Sequence, residues 1–240
     1  AYGERITIAN TDVSRVADGD VVLSPSLNTA GESVFTISGN SKVTLDGFEG
    51  FPGSTSANQD ITILNCIGGG PDVTVKNVNF HNSNSVGIQS SNCTLSIQDS
   101  EVSGNTGIGI SATGGTLEVQ DSEVSNNAGI GISATGGTLE VLRSKILSNK
   151  SGGIEADGAS YSILNNFITY NGDSANTNAA VDLSGTAAEQ IFNFNTLTGN
   201  QVSAGLTTGV TCALGALRTN TGNIIFGGLG GATPIQGNCN

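Results

Sequence analysis

Six charged residues recur at one fixed spacing in the middle of the chain. They form two columns, each with two acids followed by a base: Asp99, Asp121 and Arg143; and Glu101, Glu123 and Lys145. Carboxylate oxygens suit Ca²⁺, and neighbouring carboxylates repel each other unless a cation intervenes. Asp99, Asp121, Glu101 and Glu123 are therefore candidate calcium ligands. The alternative, which the sequence favours, is a solvated face on which the two bases partly neutralise the acids.

Other residue patterns that could carry catalysis are sparse. His81 is the only histidine, and it follows Phe80 at the end of a predicted strand, which is typical of a surface polar residue. The sequence contains no Ser–His–Asp set, no HExxH motif and no phosphate-cradling loop. The acidic columns are therefore the candidate site.

A 22-residue repeat positions the columns, with four ungapped copies over residues 85–172. The two central copies, residues 107–128 and 129–150, are nearly identical. A fixed period of this size is the signature of a solenoid. Within each copy, as in residues 116–119, apolar and polar side chains alternate with the period of a strand. We expect strand–turn–strand rungs that stack, because a single rung cannot bury its apolar side.

One polar column follows the same register as the apolar ones, and it consists of Asn105, Asn127, Asn149 and Asn171. Stacked Asn side chains can hydrogen-bond to each other and to turn backbone. Asn also tolerates the left-handed conformation that a tight corner needs. The column therefore predicts an asparagine ladder rather than four unrelated turn residues. A glycine column that includes Gly109 and Gly131 predicts a corner that a Cβ atom would obstruct.

These repeats resemble the right-handed parallel β-helix repeats of pectate-lyase-like proteins and of many bacterial cell-surface proteins. The likeness covers roughly residues 35–200. It implies an all-β fold, a right-handed parallel β-helix with 22-residue rungs. It leaves the function open, because this fold hosts lyases, hydrolases, epimerases, adhesins and inert scaffolds. Pectate lyases bind Ca²⁺ between protein carboxylates and an acidic sugar, which is what the resemblance implies for the acidic columns.

The whole chain, residues 1–240, is predicted to form one β-helix domain with three parts. Residues 1–34 start or cap the solenoid, and a helical turn is predicted within residues 10–20, between two short strands. Residues 35–200 form the repeat rungs. A polar loop at residues 172–179 interrupts the register, and residues 179–185 resume the pattern of residues 152–158. Residues 201–240 form C-terminal rungs and a disulfide-tied end.

Four cysteines without a CxxC pair do not indicate a zinc site: Cys66, Cys93, Cys212 and Cys239. The economical pairing is Cys66–Cys93 and Cys212–Cys239, while other pairings and buried thiols stay open. Disulfides would place the protein outside the cell or on its surface. The absence of a signal peptide fits a mature chain that starts at Ala1.

Composition limits the partners. The net charge of −12 argues against nucleic acid, which needs a basic face, and against an anionic membrane surface. No apolar run is long enough to insert into a membrane. Aromatic residues make up only 5% of the chain and there is no Trp, which does not favour strong carbohydrate binding.

These features predict an exported, non-catalytic structural or adhesive solenoid that requires no cofactor. Terminal rungs expose unpaired strand edges, and the sequence shows no long amphipathic capping helix, so we expect end-to-end self-association into an extracellular filament. The alternative to that assembly is that residues 1–30 and 201–240 act as caps. The rival function is a calcium-dependent polysaccharide lyase or epimerase, or a module that binds a cell-surface polysaccharide.

Overall fold

The structure is a computed structural model, and it describes residues 6–9, 12–23, 33–38, 42–50, 62–67, 70–173, 178–184, 190–201, 209–212, 220–226 and 235–237. Every regular element in these ranges is a β-strand, and every strand pair is parallel. The strands wind around three faces of a solenoid, which we call faces A, B and C. The rungs within residues 62–198 contribute in turn to face A, face B and face C.

Face A is a ten-stranded sheet. Its strands are β1 (Ile6–Ala9), β3 (Ser33–Ser38), β5 (Thr62–Ile67), β8 (Ile88–Ser91), β11 (Ile110–Thr113), β14 (Ile132–Thr135), β17 (Ile154–Asp157), β20 (Val181–Ser184), β23 (Val210–Cys212) and β25 (Ile235–Gly237). Their order in the sheet is their order in the chain, as stacked rungs require.

Faces B and C are joined through the long strand β4, which pairs with both β6 and β7. Face B consists of β2 (Asp12–Leu23), β4 (Lys42–Gly50), β6 (Asp72–Lys76), β9 (Thr94–Gln98), β12 (Thr116–Gln120), β15 (Thr138–Leu142), β18 (Ser160–Leu164) and β21 (Gln190–Asn193). Face C consists of β7 (Asn79–His81), β10 (Glu101–Ser103), β13 (Glu123–Ser125), β16 (Lys145–Leu147), β19 (Phe167–Thr169), β22 (Thr196–Thr198) and β24 (Ile224–Ile225).

The register follows the sequence repeat. Ile110 pairs with Ile88 on one side and with Ile132 on the other, one repeat away in each direction. After β17 the step between paired residues lengthens, and Ile154 pairs with Val181. The polar loop predicted at residues 172–179 accounts for this longer step, and the register resumes beyond it as the sequence indicated.

The core is the stack of inward-facing columns. Side chains alternate between buried and partly exposed along many of the described strands, as in β12, where Leu117 and Val119 are fully buried. Each apolar side chain then packs on its equivalents one rung above and below. Burial of an aliphatic side chain of this size contributes about 1.5–3 kcal/mol, so the stacked columns supply most of the stabilisation.

The asparagine column forms a continuous ladder of hydrogen bonds. Asn149 is fully buried, and its Oδ1 accepts hydrogen bonds from the backbone N–H and the Nδ2 of Asn127, at 3.2 and 2.8 Å. Its own Nδ2 donates to Asn171 Oδ1 and to the carbonyl of Val124, both at 3.0 Å. The same pattern continues to Asn200, one rung beyond the predicted column.

The left-handed conformation that we assigned to the ladder belongs to the residue before it. Asn126 and Ser148 have φ of 57°, and Tyr170 has the same value. The ladder residue itself must point its amide into the core, so the preceding residue makes the turn. The prediction was therefore right about the corner and wrong about which residue forms it.

A second polar ladder was not predicted. The backbone N–H of Ser100 donates to Ser122 Oγ at 3.1 Å, and that of Ser122 donates to Ser144 Oγ at 3.2 Å. The ladder then changes residue type, because the N–H of Ser144 donates to Asn166 Oδ1 at 2.8 Å. It continues through Asn195 to the end of face C. Serine and asparagine occupy equivalent places because both offer an acceptor oxygen to the rung before.

The glycine corner agrees with its prediction on steric grounds. A Cβ atom built on Gly109 would lie 2.7 Å from Asn127 Nδ2 and 2.7 Å from the carbonyl oxygen of Gly131. Both atoms are held by the stack, so neither can move away. The absence of a side chain here allows the corner to pack directly against the asparagine ladder.

The structure also bears on the two predicted disulfides and on the helical turn predicted within residues 10–20. The Cys66–Cys93 disulfide is confirmed, and it ties β5 to the corner that follows β8. Cys212 is also disulfide-bonded, while its expected partner, Cys239, lies outside the described residues. The helical turn predicted within residues 10–20 is wrong, because Asp12–Leu23 is a single strand that pairs with β4 across a β-bulge. Pairing with the next rung overrides the local preference for a turn.

Candidate functional site

The first acidic column lies at the corner between faces B and C. Asp99, Asp121 and Arg143 each follow a face B strand and adopt φ of 47–50°, so their side chains leave the solenoid at equivalent points. Arg143 donates from Nε and Nη2 to the two carboxylate oxygens of Asp121, at 2.8 and 2.9 Å. These hydrogen bonds lower the pKa of Asp121 and raise the pKa of Arg143. Both oxygens of this carboxylate are therefore already engaged.

The second acidic column lies on the outer side of face C. Glu101, Glu123 and Lys145 are paired in register on adjacent strands. Lys145 Nζ lies 3.8 Å from a carboxylate oxygen of Glu123, and Ser103 Oγ donates to Glu101 at 2.7 Å. This geometry matches the alternative interpretation, in which each base neutralises an acid of the adjacent rung. Such exposed pairs contribute little to stability.

The four acids proposed as calcium ligands do not form one cage. No group of three or more His, Cys, Asp or Glu side chains suited to a metal ion occurs among the residues that the structure describes. Asp121 is committed to Arg143, and Glu123 faces Lys145. These geometries fit a neutralised surface better than a calcium site, and calcium binding stays a prediction.

A different acidic pair was missed by our sequence reasoning. Glu155 on β17 and Asp182 on β20 are direct partners across adjacent strands, on the outer side of face A. Ser133 Oγ donates to Glu155 Oε2 at 3.0 Å, and Ser184 Oγ donates to Asp157 Oδ1 at 2.6 Å. The resumed pattern at residues 179–185 was the signal, because it already aligns Asp182 with Glu155.

The environment of this pair shifts the pKa of Asp182. Partial burial, together with the charges of Glu155 and Asp157, raises the pKa of Asp182 above its ordinary value. The pair borders a shallow surface depression that is also lined by Ile130, Gly152 and Asn178. A carboxyl whose pKa is raised by burial and by neighbouring acidic charge can act as a general acid. Of the described acidic groups, this pair is the one best suited to proton transfer.

The only histidine has a local partner. His81 ends β7 and is partly exposed, and its Nδ1 lies 2.8 Å from Asn82 Nδ2. Since an amide NH₂ group donates, Nδ1 accepts this hydrogen bond and the ring proton of the neutral form lies on Nε2. This agrees with the interpretation of His81 as a surface polar residue.

Comparison with known proteins agrees with this architecture. The family model of the right-handed β-helix region matches residues 2–168 and 64–237. The chain belongs to the right-handed β-helix family. Together with the parallel pairing of every described strand, this confirms the predicted fold class. The search of curated proteins finds no match.

Two solved structures are similar to this chain. A pectate lyase, Pel9A, is 12% identical, with a TM-score of 0.46 over 95% of this chain and 69% of its own. The A-module of the mannuronan C-5 epimerase AlgE4 of Azotobacter vinelandii is 15% identical, with a TM-score of 0.46 over 97% of this chain and 89% of its own.

The described ranges include no helix of the length and apolarity that a membrane crossing requires.

Proposed function

We propose that this protein is an exported, non-catalytic structural or adhesive β-helix. The continuous stacking of parallel rungs carries this proposal. Two buried hydrogen-bond ladders and the apolar columns tie each rung to the next, which gives a stiff rod rather than a flexible linker. The ten strands of face A correspond to a length on the order of 45 Å at the strand spacing.

Export is part of the proposal. The Cys66–Cys93 disulfide supports an oxidising location, because such bonds are rare in the cytosol.

The exposed ion pairs, Arg143 with Asp121 and Lys145 with Glu123, support a solvated lateral surface rather than a calcium-binding cleft.

End-to-end assembly extends the proposal. In the described part of the chain, β1 and β25 are the terminal strands of face A, and each pairs on one side. An unpaired strand edge is a template for another strand of the same direction. A head-to-tail contact of this kind does not close on itself, so it generates a filament.

Electron microscopy of the undigested protein, with light scattering on the same sample, tests this assembly. Filaments with an axial repeat on the order of 45–50 Å, the length of one rod, would support a structural subunit. A monodisperse particle at all concentrations would contradict filament formation. It would leave a monomeric spacer or adhesin as the function to test against surface polysaccharides.

The acidic pair on face A favours a second candidate function, action on a polysaccharide. Asp182, with its raised pKa, would donate a proton and Glu155 would act as the base beside it. The assay is release of unsaturated or shortened products from a panel of acidic and neutral glycans, with and without Ca²⁺. Turnover that is lost in both Asp182→Asn and Glu155→Gln, and kept in Asp121→Asn, would replace the structural proposal with an enzymatic one.

A further inference from the structure

Exposed apolar side chains are not spread over the rod. Six large ones occur among the described residues, and five of them lie on the last three rungs of face C and its corners. We call these five the apolar patch: Phe167 (57% exposed), Tyr170 (65%), Phe194 (55%), Ile224 (53%) and Phe226 (59%). The sixth, Ile67, is 41% exposed and lies on face A. The aromatic content of the whole chain is low, but exposed aromatic side chains are concentrated in this patch.

The patch begins where the charged columns end. The outer column of face C that holds Glu101, Glu123 and Lys145 continues through Phe167, Thr196 and Ile224. The corner column that holds Asp121 and Arg143 continues through Asn165 to Phe194. Face C thus changes from charged to apolar along the rod axis, with threonine hydroxyls between the rings.

Two of the rings lie against glycines of the next rung. A Cβ atom on Gly199 would lie 2.5 Å from Cε1 of Tyr170, and one on Gly222 would overlap the ring of Phe194. The glycine backbone therefore supports each ring from below and restricts its motion. Rings that are already ordered lose little conformational entropy when they bind, which is the property of interface anchors.

The size of the patch indicates a protein partner. An aromatic side chain presents about 150–250 Å² of surface, so the five side chains together expose on the order of 600 Å². The largest apolar patch on a monomeric protein is about 300–600 Å², and a stable interface buries about 800 Å² on each partner. With the threonines around it, the patch reaches the size of one side of such an interface.

The charge distribution favours a second copy of this chain as the partner. The chain carries a net charge of −12, and no charged side chain occurs in the two columns from Phe167 onward, over the residues that the structure describes. A second copy can present the same uncharged patch, whereas a parallel, fully overlapping arrangement would stack the acidic columns of both copies. An antiparallel contact limited to the last rungs keeps those columns apart.

We propose that the apolar patch is a lateral self-association surface. Two copies pack their C-terminal rungs face to face and antiparallel around a two-fold axis, with the rings of Phe167 and Phe194 at its centre. An isologous contact of this kind closes at the dimer. It is therefore distinct from the end-to-end contact, which grows without limit, and it does not depend on that contact.

Sedimentation velocity of the whole chain across protein concentrations tests the proposal. Below the concentration at which end-to-end assembly begins, we expect a monomer–dimer equilibrium whose dissociation constant rises by at least about tenfold in Phe194→Glu and in Phe167→Glu, as loss of an interface anchor predicts. Ile67→Glu is the matched control, because it introduces the same charge at an exposed apolar residue on another face. Circular dichroism and thermal melting of each variant verify that the fold is intact.

Three outcomes would overturn the inference. The first is a wild-type monomer up to the highest concentration that stays soluble. The second is a dimer that both variants leave unchanged, which would place the contact elsewhere. The third is a monomer in which neutral oligosaccharides, and not a second copy, perturb the NMR signals of the patch rings, which would make the patch a sugar platform.

Discussion

The asparagine ladder can be tested by removing one step. Asn149→Ala deletes four hydrogen bonds, two accepted from Asn127 and one donated to each of Asn171 and the carbonyl of Val124. Asn127 Nδ2 keeps a bond to the carbonyl of Val102, and Asn171 Oδ1 keeps one from the N–H of residue 149. The uncompensated loss falls on the N–H of Asn127, because the carbonyl of Val124 also lies within the parallel ladder between β13 and β16.

The size of the effect follows from that one group. A buried polar group that loses its partner costs about 1–3 kcal/mol, so we expect Asn149→Ala to lower the free energy of unfolding by about 1–3 kcal/mol. Asn149→Ser should recover part of this loss, because Ser144 Oγ already accepts the N–H of the preceding rung in the second ladder. The expected order of stability is wild type, then Asn149→Ser, then Asn149→Ala.

Urea unfolding followed by circular dichroism gives the midpoints, and native-state hydrogen exchange locates the effect. Opening should be enhanced at the N–H of Asn127 before it is enhanced elsewhere. Thr135→Ala is the control, because Thr135 is exposed on β14 and its substitution should change stability by less than about 0.5 kcal/mol. If Asn149→Ala is no less stable than Thr135→Ala, the ladder contributes nothing to stability and the reasoning fails.

Three further predictions address other parts of the fold. Cys93→Ser should destabilise the protein by about 3.5 kcal/mol, the chain-entropy value for this loop between Cys66 and Cys93, and reductant should then have no further effect on this bond in thermal melts. Asp182→Asn should raise the melting temperature at pH 7 and not at pH 3. Because the pKa of Asp182 is raised in the folded state, the wild type loses stability as pH rises from the ordinary carboxyl pKa through the folded one. Equal gains at both pH values would refute this. Gly109→Ala should cost about 1–3 kcal/mol through steric overlap. Gly136→Ala, where φ is 64° and the space is open, should cost only its backbone strain, so equal losses would contradict the steric account.

Where the repeat period holds, the sequence was sufficient. Ile110 pairs with Ile132, and Asn127 bonds to Asn149, because equivalent residues of near-identical repeats must stack on one another. The pairing of Cys66 with Cys93 followed from their nearness on consecutive rungs. Local chemistry repeated at a fixed interval determines register, and register determines which side chains meet.

Where the period fails, tertiary structure decided. The strand Asp12–Leu23 is held by pairing with β4, which no local pattern in residues 10–20 revealed. Glu155 meets Asp182 across a step longer than one repeat, and the patch collects Phe167, Phe194 and Ile224 from rungs separated by longer and unequal steps. Insertions change the sequence distance between rungs while the strand spacing stays constant. Only the backbone hydrogen bonds between rungs restore the alignment, so contacts beyond the regular repeats are visible only in the folded chain.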